Sequence, residues 1–235
     1  MAKKILNQND KYVQELIDTI EPDFVFNKKP INRFKVINNN NQDKQGKLLD
    51  LKKQINSIEN CNLRNSSNNL IMGDGDINSS IMIIGEAPGE LEDISGKVFQ
   101  GEIGELLKKM LLAIEIEINK IYCTYSVNFR PPSDRKPNVQ EIKRYSIFLK
   151  EHISIINPKI LVLMGSTAME AVTGLNNKIS NERGKWKEII LKNKTLPVII
   201  TFSPSYLIRF PDNKKYSWED LKKIKKKIQD LNIKI

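Results

Sequence analysis

Cysteine and histidine are nearly absent from this chain: two cysteines and one histidine occur in 235 residues. Cys61 and Cys123 lie far apart and form no C-x-x-C pair. That argues against a disulfide framework or a thiolate metal knuckle and fits a reduced, cytoplasmic setting. The one histidine, His152, has no partner in sequence and falls in a helical pattern, so it is expected to be a half-exposed side chain rather than a catalytic base. No apolar run approaches membrane-spanning length. The first residues, MAKKILNQNDKYVQEL, carry charge but no apolar core before a cleavage site, so no secretory signal is expected.

Positive charge is plentiful. The net charge is +10, with an isoelectric point near 9.4. That favours a polyanionic partner such as nucleic acid or an anionic membrane surface. The many Asn, Ile and Lys residues would also follow from a composition-biased genome. The length suits one α/β domain with an extension.

The chain is organised around Ile81 to Gly104, IMIIGEAPGELEDISGKVFQGEIG. Ile81 to Ile84 is short, apolar and β-branched, as a buried strand should be. Gly85-Glu86-Ala87-Pro88-Gly89 then makes a stiff loop whose amides can face a ligand. The acids Glu90, Glu92 and Asp93 follow, then Phe99 and an amphipathic helix from about Gly101 to Ile116. An ordinary βα turn with solvated acids would have the same pattern.

Ahead of this stretch, residues 1–46 read as an extension. Helical spacing covers residues 5–20, and a linker over 22–46 interleaves Phe24, Phe26 and Phe34 with Lys28, Lys29, Arg33 and Lys35. The main domain, 47–235, opens on a helix over 47–59, a loop over 60–69 and a tight turn at Gly73 to Asp76. A second strand spans Ile121 to Val127. A Pro-rich basic loop with Arg130, Pro131, Arg135 and Lys136 follows, and a helix runs from Val139 to Ile156. Lys159 to Met164 is the third strand, apolar throughout. It leads into Gly165-Ser166-Thr167-Ala168, a helix start that can hold phosphate or simply cap itself. A hairpin or loop pair around Gly184 precedes the fourth strand, Leu196 to Phe202. The loop from Ser203 to Pro211 and a closing helix from Trp218 to Ile233 end the chain. Four apolar strands separated by helices give an α/β fold: a three-layer α/β/α sandwich with a central four-stranded parallel sheet. The unusual loops all follow strand ends and so share one edge. Acids, an aromatic, basic loops and a wedge on one edge suit chemistry on a flipped base.

Residues 61 to about 230 resemble the uracil-DNA glycosylase superfamily, most closely its family four, the iron–sulfur type. The segments that carry the resemblance are Gly85-Glu86-Ala87-Pro88-Gly89 with Glu92-Asp93, Gly96-Lys97-Val98-Phe99-Gln100-Gly101, Arg130-Pro131-Pro132, Gly165-Ser166-Thr167-Ala168 and Ser203-Pro204-Ser205-Tyr206-Leu207-Ile208-Arg209. The resemblance implies hydrolysis of the N-glycosidic bond of uracil, or of another deaminated base, in DNA. Glu92, or less favourably Glu86, would position water, and Ser203 would act with the amides after Gly85 on the departing base. Gly85, Ala87, Phe99 and Tyr125 would form the base slot. Arg130, Pro131, Gly165, Ser166, Pro204 and Ser205 would contact DNA, and Leu207, Ile208 and Arg209 would fill the vacated stack.

The same resemblance implies departures. The family's cluster needs four cysteines, and only Cys61 matches a ligand position; Ile58, Phe129 and Tyr145 stand at the others. No cofactor is expected, with apolar packing in its place. Tyr125 replaces the family's base-reading Asn, and Ser203 its His. A DNA-binding pseudo-glycosylase serving repair or replication is therefore the rival. In either case DNA is the partner, no membrane is involved and a cytoplasmic monomer is expected.

Overall fold

The computed structural model describes residues 40–233. The expected helix over 5–20 and most of the 22–46 linker lie outside them. Six strands form one mixed sheet: β1 (Asp74–Gly75), β2 (Ile81–Gly85), β3 (Tyr122–Tyr125), β4 (Ile160–Met164), β5 (Trp186–Leu191) and β6 (Lys194–Thr201). Their order is β1-β3-β2-β4-β6-β5. The four inner strands are parallel: Ile83 sits opposite Cys123 on one side and Val162 on the other, and Val162 opposite Ile199. These are the four strands expected from the apolar runs. Two antiparallel edges, β1 and β5, extend this central parallel sheet to six strands. β1 is two residues long, too short for a periodic signal. β5 alternates half-buried and exposed residues, the mark of an edge strand with one wet face. Its hairpin turns at Lys192 and Asn193, not at Gly184. Both have positive φ, 45° and 65°, as a two-residue hairpin of matching twist requires.

Helices cover both faces. On one, Ile81, Ile83, Cys123, Tyr125, Val162 and Ile199 meet α4 (Gly101–Leu112), α8 (Pro204–Arg209) and α9 (Lys214–Asp230). On the other, Met82, Ile84, Leu161, Leu163, Val198 and Ile200 meet α5 (Val139–Ile156) and α6 (Ser166–Thr173). Period-two alternation of fully apolar strands thus builds two cores back to back. α5 keeps the boundaries its sequence predicts because both ends are capped. Asn138 Oδ1 accepts the Glu141 amide at 2.9 Å, and Glu141 returns a bond to the Asn138 amide at 2.7 Å. Asn157 closes the other end in the left-handed region.

A third cluster lies outside the sheet. α1 (Asn40–Asn56) and α2 (Asn62–Asn65) place Leu51, Ile55, Cys61 and Leu63 against Val127, Phe129 and Tyr145. α1 begins seven residues before the expected Lys47. Its Lys44 donates to the carbonyls of Ile77 at 3.1 Å and Ile156 at 2.8 Å, which fastens the early turn to the end of α5. α2 falls where a loop is expected, one turn long and anchored by Leu63. The short α3 (Glu90–Ser95) and α7 (Ile179–Glu182) complete the described helices.

His152 departs from the expected half-exposed position. It is 2% exposed, and its Nε2 pairs with the Tyr122 hydroxyl at 2.9 Å. Burial holds its pKa down at about 3, against an ordinary 6.5. The unfolded chain therefore binds a proton that the folded one refuses between those values, and stability falls as pH drops through that window, by about 1.4 kcal/mol per unit. Urea denaturation at pH 7 and pH 4.5 should show His152→Gln losing about 2–3 kcal/mol less than the parent over that interval. Parallel losses in the two proteins would contradict the assignment.

Candidate active site

Four parallel strands end on one edge, and their exits meet. β2 ends at Gly85, β3 at Tyr125, β4 at Met164 and β6 at Thr201, two residues before Ser203. A cavity of about 630 Å³ opens there, with Glu86, Phe99, Tyr125, Thr167 and Ser203 among its walls. Gly85 allows the rings to close on the strand end: a Cβ there would lie 2.8 Å from both Phe99 and Tyr125.

The carboxylate of Glu86 is held by the neighbouring strand's exit. Its Oε1 accepts the Thr167 amide at 3.1 Å and the Ser166 hydroxyl at 3.3 Å, and its Oε2 accepts the Ser203 hydroxyl at 3.2 Å. The first turn of α6 thus presents its amide to a side chain of this protein. Gly165 makes the approach possible: its φ is +102°, and a Cβ would fall 2.3 Å from the Glu86 carboxyl carbon. The helix start where Gly165 and Ser166 are expected to meet phosphate thus also holds an anion of this protein's own. Lys136 Nζ donates to the Ser166 hydroxyl at 3.1 Å, one atom removed from Glu86.

Glu92 is placed differently. It is 2% exposed and sits in α3 rather than in an irregular acidic loop. Oε1 accepts from the Gln100 amide at 2.8 Å and the Tyr125 hydroxyl at 3.2 Å, and Oε2 accepts the Gly89 amide at 3.0 Å. Glu92 therefore ties the Gly85–Gly89 loop to the segment that carries Phe99. Phe99 itself is a non-glycine residue at φ 48°, its amide held by the Tyr125 hydroxyl at 3.0 Å. The two rings lie 4.9 Å apart at 43°. Burial, and then Glu92 alongside, push the Tyr125 phenol well above its ordinary pKa. Asp93, the third acid, turns away and caps residues 68 and 69 through their amides.

Two residues expected to contact DNA are already engaged within the protein. Leu207 is 1% exposed and packs in the core, because Ser203 to Arg209 forms α8 with a Ser203 cap and Pro204 in its first turn rather than an open loop. Ile208, Arg209 and Phe210 are the exposed residues at this lip, and Ile208 and Arg209 face the cavity. Arg130 is engaged by Asp134 at 2.8 and 3.1 Å and by Glu90 at 3.6 Å. Arg135 is likewise paired, with Glu141 at 2.7 Å. Among the described residues, Lys136 and Arg209 are the cavity-wall cations without a carboxylate partner. Pro131, Pro204 and Ser205 line the cavity alongside Ala87.

The four positions that the resemblance assigns to a cluster do meet. Cys61, Phe129 and Tyr145 share the third core, with Ile58 packed against it. Cys61 Sγ lies 3.1 Å from the Tyr145 hydroxyl, and the Phe129 and Tyr145 rings meet edge-on at 6.4 Å. One thiol among three apolar or aromatic side chains is not a donor set for an iron–sulfur cluster, which takes about four thiolates.

The model of the uracil DNA glycosylase superfamily matches residues 72–225. The chain is 36% identical over 186 residues to a type-4 uracil-DNA glycosylase of Sulfurisphaera tokodaii, covering 76% of this chain and 83% of that protein. It is 35% identical over 168 residues to one of Thermotoga maritima, covering 70% and 86%. It is 30% identical over 181 residues to one of Archaeoglobus fulgidus, covering 75% and 91%.

Proposed function

The chain belongs to the uracil DNA glycosylase superfamily, and from that premise we propose that it removes uracil from DNA by hydrolysing the N-glycosidic bond of a flipped nucleotide. The observation that carries this reading is Glu86: a carboxylate on the cavity wall, fixed by one helix amide and two hydroxyls. As the bond from C1′ to the base breaks, positive charge grows on the sugar, and a preorganised carboxylate stabilises it without reorganising. Glu86 also orients the water that adds to C1′. Phe99 supplies the face for the extruded base, at the cost of its own strained backbone. Glu92 is the positioning residue, joining the loop to Phe99 from below. Lys136 and Arg209 meet the phosphates, and Ile208 enters the gap left in the stack. The net charge of +10 suits this partner. The reading uses no iron–sulfur cluster, because Cys61 with Ile58, Phe129 and Tyr145 supplies one thiolate where about four are needed.

A second reading, a DNA-binding pseudo-glycosylase, is favoured by one observation: the Tyr125 ring lies against Phe99, where a base would stack. Single-turnover incubation with uracil-containing single- and double-stranded oligonucleotides separates the two. The enzyme reading expects free uracil and an alkali-labile abasic site from protein containing less than stoichiometric iron. Salt-sensitive binding with no base released at high protein would establish the second reading instead.

A further inference from the structure

Two hydroxyls, Tyr125 and Ser203, stand on the cavity wall where an edge reader and a leaving-group donor are expected. Each has one proton, and each gives it to a carboxylate of this chain. Tyr125 donates to Glu92 at 3.2 Å and Ser203 to Glu86 at 3.2 Å, with the Ser205 hydroxyl 3.1 Å from Ser203 and placed to donate to it in turn. Their acceptor sides are engaged too: Tyr125 takes the Phe99 amide at 3.0 Å and Ser203 the Tyr206 amide at 3.4 Å. Gln100, the neighbouring amide side chain, donates to the Val98 carbonyl at 2.8 Å. Neither hydroxyl can serve a base without abandoning its carboxylate. Glu92 is buried, and Glu86, half-buried, is fixed by these donors; a carboxylate so held that loses a donor is costly, so both protons stay where they are.

We propose, on the glycosylase reading above, that Tyr125 and Ser203 set the substrate class by withholding these donors. The chain is matched to pyrimidines that are good leaving groups in their own right, namely uracils bearing an electron-withdrawing 5-substituent. In the bond-breaking step the C1′–N1 pair leaves with the base, and its negative charge spreads over N1, O2 and O4. Water then adds to C1′, losing its proton to Glu86, and the base anion is protonated from solvent. Where donors stabilise that anion, its intrinsic acidity matters little. Where they are withheld, the barrier follows the base's own ability to carry the charge.

The test is single-turnover release from one oligonucleotide sequence carrying either 5-fluorouracil or uracil. Fluorine is close to hydrogen in size, so the comparison is electronic. The parent protein is expected to release 5-fluorouracil about tenfold faster than uracil, a barrier difference of about 1.4 kcal/mol. Tyr125→Asn, and as an independent variant Ser203→His, should raise the uracil rate and draw the ratio toward one. Equal rates for the two bases in the parent would overturn this inference and leave the glycosylase reading intact. An unchanged ratio in both variants would equally overturn the roles of Tyr125 and Ser203. Release of neither base would remove the glycosylase reading and this inference with it.

Discussion

Glu86→Gln is expected to slow single-turnover uracil release by about 10²–10³-fold, the range seen when one preorganised group facing transition-state charge is removed. The substitution keeps the side chain's size and removes two things at once. The charge opposite C1′ disappears. The hydrogen-bond pattern also inverts on one side, because the carboxylate accepts from the Thr167 amide, Ser166 and Ser203. An amide oxygen can satisfy either the pair on Oε1 or the one on Oε2, and its NH₂ then faces a donor. Oligonucleotide affinity should change little, because the phosphates are assigned to Lys136 and Arg209, neither of which bonds Glu86 directly. Glu92→Gln gives the contrasting result. Its three donors come from Gly89, Gln100 and Tyr125, all inside the protein, so mispairing one of them lowers stability by about 1–3 kcal/mol. Its rate loss should be the smaller of the two and should track the displacement of Phe99. Rate and urea midpoint measured on both variants assign the roles. A catalytic loss confined to Glu92→Gln would reverse them.

That contrast also shows where sequence reading stops. Period-two apolar runs disclosed the inner strands, because burial on both faces leaves little room for polar residues. The amphipathic spacing of Val139–Ile156 made α5 legible, and the caps at Asn138 and Asn157 fix its ends. Each motif was visible as a contiguous string. The pairings between motifs were not, since they depend on strand order. Glu86 meets Thr167 because β2 lies beside β4, a neighbour relation that no local pattern encodes. Gly165-Ser166-Thr167 carried the signature of an anion site, and the signature was sound, but the anion is a side chain 80 residues away. The pairing of Arg130 likewise depends on the turn that folds Asp134 back on it. Leu207 shows the same limit: Ser203-Pro204 fits a loop as well as a helix start, and only the helix, capped by Ser203 with Pro204 in its first turn, turns Leu207 into the core. The Tyr125 hydroxyl gave no advance sign of its partners; Glu92 and Phe99 reach it only after α3 has formed.

The largest loss of stability is expected at Arg183. Its guanidinium closes on Asp220, at 3.0 Å through Nε and more closely through Nη2, and also meets the Tyr216 carbonyl. Asp220 is fully buried and takes a further bond from the Thr201 hydroxyl at 2.8 Å. The Arg183 plane rests on Phe202 at 5.7 Å and Tyr216 at 5.3 Å. Removing the cation strands a carboxylate in the interior, so Arg183→Met should cost about 3–5 kcal/mol in urea denaturation at pH 7. Burial already raises the Asp220 pKa. For an acid, a folded pKa above the unfolded one means stability that is present at low pH and lost as pH rises. The deficit of Arg183→Met should therefore shrink as pH falls toward 5, because protonation relieves the stranded charge. Adding Asp220→Asn should recover part of the loss at pH 7, and the double-mutant cycle gives the coupling directly. Additive losses, with no pH dependence, would show that packing rather than charge holds this corner. The consequence reaches the site, since Thr201 and Phe202 lead straight into Ser203. A β6 exit no longer pinned to α9 lets the Ser203 hydroxyl drift from Glu86. Arg183→Met should accordingly lose base release at temperatures where its far-UV spectrum is still that of the folded protein.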